Sequence, residues 1–120
     1  MTKLSTLLER NVSTIFNQRD GKKRKAALKE LWTVDGVFWS AEGIYLGQNE
    51  IDRAAGGLLH SFPEFDFAIS GEIDEIPDAA RARWSFGARG SSPAITGMDV
   101  VVASNGCIVA MYRFLDGASL

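Results

Sequence analysis

Asp99 is the residue of this 120-residue sequence best placed to do chemistry. It stands in the run AITGMDVVVAS, where its neighbours are aliphatic or small. A carboxylate in such a strand is costly unless it is paired or protonated. In an apolar pocket it could act as a general acid or base, or donate a hydrogen bond to an enolate. We therefore predict Asp99 as the catalytic residue. The alternative is an ordinary carboxylate at a sheet edge or dimer interface, paired with Arg83 or Arg113.

The dipeptide Asn105-Gly106 lies between two apolar, β-branched runs and predicts a tight antiparallel hairpin. If it forms a two-residue loop, counting outward along the strands puts Asp99 opposite Tyr112. A three-residue loop would instead place Met111 there, because a slip of one residue moves a strand to its other face. Tyr112 is therefore a candidate hydrogen-bonding residue, with simple packing as the alternative.

Two tryptophans and the single histidine complete the candidates read from the residues. Trp39 and Trp84 are predicted to line a pocket for a flat apolar ligand, although most aromatic residues belong to the core. His60 is a ligand-binding candidate because histidine titrates near neutrality, but a solvent-facing side chain at a helix end is the alternative. One histidine gives no zinc-site spacing, and no glycine-rich stretch matches a phosphate loop. We expect no metal or cofactor.

Composition narrows the class of protein. The net charge of −2 shows no basic excess, which argues against a nucleic-acid partner. No long apolar run resembles a signal peptide or a membrane span, so we expect a cytoplasmic protein without a membrane partner. The lone Cys107 excludes an internal disulfide and reads as a small buried hydrophobe. The length predicts a single domain over residues 1–120.

Apolar spacing predicts three helices, over 4–16, 22–32 and 50–61. The first should stop near Asp20-Gly21, and the third should be capped by Asn49 and end before Pro63. Strands are predicted over 37–39 and 44–46, which form a small hairpin, then over 65–76, over 80–89 and in the hairpin 94–115. Most helices precede most strands, which predicts an α+β domain with helices covering one face of a curved sheet.

Three stretches resemble one superfamily: LWTVDGVFWSAEGIYLGQNEID, RWSFGARG and TGMDVVVASNGCIVAMYRFLD. They are similar to the nuclear transport factor 2-like, or SnoaL-like, proteins, which include ketosteroid isomerase, polyketide cyclases and limonene epoxide hydrolase. The resemblance implies a cone-shaped fold with three N-terminal helices packed on a curved, mostly antiparallel sheet. It also implies a homodimer formed through the outer face of the sheet.

The resemblance carries over to site residues only in part. Asp99 matches the strand position where the isomerase has a protonated Asp and the cyclases have a functional Asp. Ser40 falls where the isomerase has its general base, so it is included as a ligand-binding position only. No tyrosine stands on the first helix, where the isomerase has its other oxyanion donor. Authentic steroid isomerisation is therefore not expected, and only Asp99 fits the hydrolase.

Two functional hypotheses follow from the residues and the resemblance together. In the first, a buried cone binds a small apolar, carbonyl-bearing ligand, and Asp99 acts as acid or base in an isomerase- or cyclase-type proton transfer. In the second, the same scaffold is a non-catalytic ligand-binding or dimerisation module. The absence of a base at Ser40 favours the second hypothesis, whereas a carboxylate in an apolar strand favours the first.

Overall fold

Residues 3–117, which the computed structural model describes, form three helices and a single six-stranded sheet. The elements are α1 (Leu4–Asn11) with a π-helical continuation (Val12–Phe16), α2 (Gly21–Leu31), β1 (Trp32–Ser40), β2 (Gly43–Leu46), α3 (Gly47–Ser61), β3 (Phe65–Ile76), β4 (Ala79–Ala88), β5 (Ile95–Ser104) and β6 (Cys107–Leu115). The strand order is β2-β1-β6-β5-β4-β3, parallel between β1 and β6 and antiparallel elsewhere. The predicted α+β architecture of three helices on a mostly antiparallel sheet is confirmed.

Two helix starts differ from the prediction. Asp20 begins α2 instead of ending the first helix, because its carboxylate accepts hydrogen bonds from the first free backbone N–H groups of α2. Helix α3 begins at Gly47 and is not capped by Asn49. The Glu50 carboxylate instead accepts a hydrogen bond from the Leu46 backbone N–H at 2.8 Å, which satisfies the start of the helix from inside its first turn.

The turn between β5 and β6 has the two residues that the sequence predicts. Asn105 and Gly106 both have positive φ, 52° and 81°, as a type I′ turn requires. Ser104 pairs with Cys107 directly across it. The sequence signal for this hairpin is therefore correct at its tip.

A β-bulge changes the register beyond the tip. Val109 is an extra residue in β6, so every later pair is shifted by one position. Asp99 lies opposite Arg113, and neither the predicted pairing with Tyr112 nor the alternative with Met111 occurs. Because side chains alternate between faces, the bulge brings an arginine to the face that carries Asp99.

The helices pack on one face of the sheet, which we call the inner face. Ile15, Ile51, Val101, Ile108 and Met111 are fully buried between the two layers. The alternation predicted for β3 and β4 sends their phenylalanines and Trp84 to this face. No α-helix within residues 3–117 has the length and apolar character needed to span a bilayer.

Candidate ligand-binding site

Asp99 and Arg113 form a buried ion pair between β5 and β6. The Asp99 residue is 1% exposed and Arg113 is 8% exposed. Arg113 Nε donates to Oδ1 of Asp99 and Nη2 donates to Oδ2, both at 2.9 Å. This is the bidentate arrangement in which a guanidinium binds a carboxylate most strongly. The pair holds the plane of the guanidinium in one orientation.

Trp84 on β4 completes the coordination of the carboxylate. Its Nε1 donates to Oδ1 of Asp99 at 2.8 Å, so Asp99 accepts three hydrogen bonds. The indole reaches across β5 only because Gly97 has no side chain, since a Cβ at that position would overlap the Trp84 ring and the Phe114 backbone oxygen. The glycine in the TGMD motif therefore makes room for the group that binds Asp99.

Aromatic rings surround the guanidinium. Cζ of Arg113 lies 4.4 Å from the centroid of the Phe16 ring, 4.5 Å from Phe67, 5.2 Å from Trp84 and 5.3 Å from Phe38. Each ring face attracts the cation. Phe16 is the last residue of the π-helical segment, a type of distortion often found at functional sites. Four elements of the fold thus converge on one side chain.

A cavity of about 300 Å³ lies beside this cluster. Its inner end is marked by the buried side chains of Arg113, Phe67 and Trp84, and its mouth by the exposed side chains of Phe62 and Glu42. We call it the cone cavity. Its surface is mostly aromatic and aliphatic, and Arg113 and Glu42 are the charged residues among the described residues that line it.

Arg113 has one nitrogen that the ion pair does not use. Nη1 has no hydrogen-bond partner among residues 3–117, and in that range no fully buried side-chain nitrogen or oxygen lacks one. Nη1 is therefore not fully buried, and Arg113 lines a depression on the outer face as well as the cone cavity. Asp99 is not part of that lining. The group available to a ligand is thus the guanidinium, with the carboxylate behind it.

The predicted site residues divide between the two faces of the sheet. Trp84 lines the cone cavity. Trp39 and Tyr112 stack on each other on the outer face, with ring centroids 6.1 Å apart, and do not reach the cavity. The Ser40 hydroxyl donates to a backbone carbonyl in the β1–β2 turn. His60 is exposed near the end of α3, and within the described chain no three His, Cys, Asp or Glu side chains lie close enough to hold a metal ion.

Of the two arginines considered as partners for Asp99, Arg113 is the one that pairs. Arg83 points to the outer face and bonds Asp116 at 3.3 Å. The Asp99 pair is inside the domain and not at a sheet edge. The outer face also exposes Phe114, beside Trp39. The homodimer implied by the resemblance would cover these residues and stays a prediction.

Sequence reasoning missed Arg113 and Glu42 as site residues. Along β6 the exposed Tyr112 alternates with Met111, Arg113 and Leu115. Once the bulge is known, this alternation places the Arg113 cation on the apolar face. Glu42 stands in the short β1–β2 turn and gives no signal in the sequence. The cavity phenylalanines were recognised only as core aromatics.

This sheet order, the helices on its inner face and the cavity between them define the fold of the SnoaL-like, nuclear transport factor 2-like proteins. The resemblance seen in the sequence is confirmed at the level of the fold. A proposed isomerase of the SnoaL-like family from Agrobacterium tumefaciens superposes with a TM-score of 0.88 at 23% identity, over 98% of this chain and 100% of that one. A proposed polyketide cyclase from Sinorhizobium meliloti gives 0.72 at 16% identity, over 89% and 92%.

The fold alone does not determine the chemistry. A de novo designed protein with a curved β-sheet superposes with a TM-score of 0.75 at 13% identity, over 98% of this chain and 89% of the designed one. No protein-family profile and no curated protein sequence matches the chain. Function must therefore be argued from the cone cavity itself.

Proposed function

We propose that this protein binds a small, largely apolar ligand in the cone cavity and holds a carbonyl oxygen of that ligand at Arg113. The observation that carries the proposal is Arg113, a cation that lines an aromatic cavity and whose Nη1 has no hydrogen-bond partner among the described residues. Ligand pockets of this kind are mostly apolar with a few placed polar groups. The cavity volume lies at the small end of the range for such pockets.

A neutral oxygen fits this site better than an anion. The Asp99 and Arg113 charges already neutralise each other. A ligand carboxylate would add an uncompensated charge to a buried, aromatic environment, which is costly. A ketone, aldehyde or ester oxygen accepts the hydrogen bond without that cost. The ligand class is therefore a ring-bearing carbonyl compound.

Asp99 acts in this proposal as a positioning residue. Among residues 3–117 its side chain hydrogen-bonds to Arg113 and Trp84 alone, and it fixes both relative to the cavity. Such a preorganised donor binds an oxygen without first reorienting.

Binding of matched naphthalenes tests the proposal. 2-Acetylnaphthalene should bind at least about tenfold more tightly than 2-ethylnaphthalene, because a hydrogen bond from a charged donor contributes about 1.5–3 kcal/mol. The double variant Asp99→Asn/Arg113→Met removes both charges and keeps an acceptor for the Trp84 indole. It should bind the two compounds equally.

A second buried ion pair supplies the control variant. Asp52→Asn/Arg24→Met removes the buried pair between α2 and α3, outside the cone cavity, and should keep the preference for the ketone. Titration calorimetry gives the affinities, and the NMR shift of Trp84 Nε1–H reports where the ligand binds. Equal affinity of the wild-type protein for the ketone and the hydrocarbon would overturn the role of Arg113. Tighter binding of 2-naphthoate than of the ketone would mean that the ligand group at Arg113 is a carboxylate and not a carbonyl.

A cofactor-free proton transfer of the isomerase or cyclase type is the second candidate function. Arg113 would stabilise the enolate oxygen of a bound ketone. Asp99, the acid or base predicted from the sequence, has its oxygens engaged by three donors. The Glu42 carboxylate lies in the cavity lining and has no hydrogen-bond partner within residues 3–117, which favours it as the base.

Deuterium exchange separates binding from catalysis. If the protein transfers protons, it should accelerate uptake of deuterium from D₂O into the methyl group of 2-acetylnaphthalene, and Glu42→Gln should abolish the acceleration. Wild-type protein that binds the ketone without accelerating exchange would leave the non-catalytic binding module as its function.

A further inference from the structure

A groove outside the cone cavity continues it along helix α3. The groove has a volume of about 950 Å³ and lies between α3 and β2. Glu42, Leu58 and Phe62 border both the groove and the cone cavity. A ligand that leaves the cone at these side chains therefore enters the groove directly. We call this space the α3 groove.

The helix side of the groove is one continuous face of α3. Glu50, Arg53, Gly57 and Ser61 recur at spacings of three and four residues, which places them on one side of the helix. The eleven residue-to-residue steps from Glu50 to Ser61 span about 16 Å along the axis. Gly57 lies near the mouth of the cone, and a Cβ built there meets nothing within 4 Å. The missing side chain leaves the groove open at this point.

The middle of the groove is apolar and its ends are charged. Ile44 is 52% exposed and, with Ala54 and Leu58, forms an aliphatic surface next to the cone mouth. At the far end the Glu50 carboxylate already accepts the Leu46 N–H, and Arg53 lies beside it. The middle of the groove is therefore suited to methylene groups, between Glu42 at the cone mouth and Glu50 and Arg53 at the far end.

We infer that the ligand carries an alkyl or acyl chain, which leaves the cone past Phe62 and lies in the α3 groove. This inference rests on the proposed function, because it takes the ring and the carbonyl group to occupy the cone. The natural ligand class is then a ring-bearing carbonyl compound with a hydrocarbon tail on the side opposite the oxygen. A cavity of 300 Å³ alone would leave such a tail in water.

A chain-length series tests the inference. 2-Acetylnaphthalene and its 6-ethyl, 6-butyl and 6-hexyl derivatives are titrated into the wild-type protein. Affinity should rise by about twofold per methylene, because a groove open on one side removes about half of each methylene's surface from water. Gly57→Leu fills the groove and should bind the parent ketone normally but show no gain with chain length. Ala26→Leu adds the same side chain to an exposed position of α2 and should behave as wild type.

The outcomes separate the groove from the cone. Chain-dependent shifts of the Gly57 amide in NMR, together with a flat series in Gly57→Leu, would support the inference. The same gain in Gly57→Leu as in wild type, or a flat wild-type series with the parent ketone still bound, would overturn the groove and leave the cone intact. Failure of every member of the series to bind would overturn the proposed function and this inference with it.

Discussion

Within residues 3–117, two arginine–aspartate pairs are buried, and they differ in what surrounds the guanidinium. Arg24 and Asp52 join α2 to α3, with Nε donating to Oδ1 at 2.6 Å. Nη1 of Arg24 donates to the Gln18 backbone oxygen, so that guanidinium is bonded to protein on two sides. Among residues 3–117 the Arg113 guanidinium hydrogen-bonds to Asp99 alone, aromatic rings surround it, and the side chain lines the cone cavity.

The difference fits a structural role for the first pair, and it supports the proposal that the second pair presents a donor to a ligand. Breaking a buried pair is costly wherever it lies, so burial does not distinguish the two. Each arginine has one nitrogen without a hydrogen-bond partner within residues 3–117, Nη2 of Arg24 and Nη1 of Arg113. What distinguishes them is the surroundings, because Nη2 of Arg24 packs against Gly56 whereas Arg113 lines the cone cavity. A search for functional arginines in such a fold should therefore ask which buried arginine lines a cavity, and not only which one forms an ion pair.

Removing one carboxylate from each pair should give the largest and most unequal effects. Asp99→Ala leaves Arg113 buried without an acceptor and should lower the free energy of unfolding by about 3–5 kcal/mol. Asp52→Ala leaves Arg24 with the Gln18 carbonyl and should cost about 1–3 kcal/mol. Urea unfolding followed by circular dichroism measures both. Equal losses would show that the two guanidinium environments do not differ as the hydrogen bonds suggest.

A glycine makes room for each pair, and the two glycines should respond differently to alanine. At Gly97 the new Cβ would meet the Phe114 backbone oxygen, which cannot move, so Gly97→Ala should cost about 1–3 kcal/mol and displace the Trp84 indole. At Gly56 it would meet Nη2 of Arg24 at 2.6 Å, the far end of a flexible side chain. The better helix propensity of alanine, about 1 kcal/mol, should offset most of that contact.

The unfolding midpoints of Gly97→Ala and Gly56→Ala, together with the NMR shift of the Trp84 Nε1–H group in each, test this comparison. A Gly56→Ala protein less stable than Gly97→Ala would contradict the comparison. So would a Gly97→Ala protein in which the Trp84 resonance is unmoved.

The sequence predicted the parts of the fold that depend on local pattern. Asn105-Gly106 specified its turn, and the alternation around Phe67 and Trp84 specified which side of β3 and β4 is buried. A carboxylate among apolar strand residues is costly to remove from water, and this drew attention to Asp99, which is indeed buried. Each of these follows from a few neighbouring residues.

The site itself depended on features that no local pattern marks. The Val109 bulge has no glycine or other signal, yet it decides that Arg113 and not Tyr112 lies opposite Asp99. The π-helical segment that brings Phe16 to the guanidinium has the same apolar spacing as an α-helix. A one-residue change in register was enough to move Tyr112, the predicted partner of Asp99, to the outer face.

The exposed carboxylate of Glu75 contrasts with the two buried pairs, and changing it should have the smallest effect on stability. The Glu75 carboxylate near the end of β3 accepts a hydrogen bond from the Ser5 backbone N–H in the first turn of α1. That hydrogen bond holds the pKa of Glu75 below its ordinary value of 4.5. A lowered pKa in the folded state means that the contact stabilises the protein above about pH 4.5, and that this contribution is lost as the pH falls through the folded-state pKa.

Glu75→Gln should therefore be slightly less stable than wild type near neutrality, and the difference should shrink below pH 4.5. The unfolding midpoint of both proteins, measured from pH 3 to pH 7, tests this. Asp74→Asn is the matched control, since Asp74 is the neighbouring acid on β3 and pairs with Arg81 away from α1. A pH-independent difference between Glu75→Gln and wild type would mean that Glu75 acts on α1 through packing, because only a contact made by the ionised carboxylate disappears with its charge.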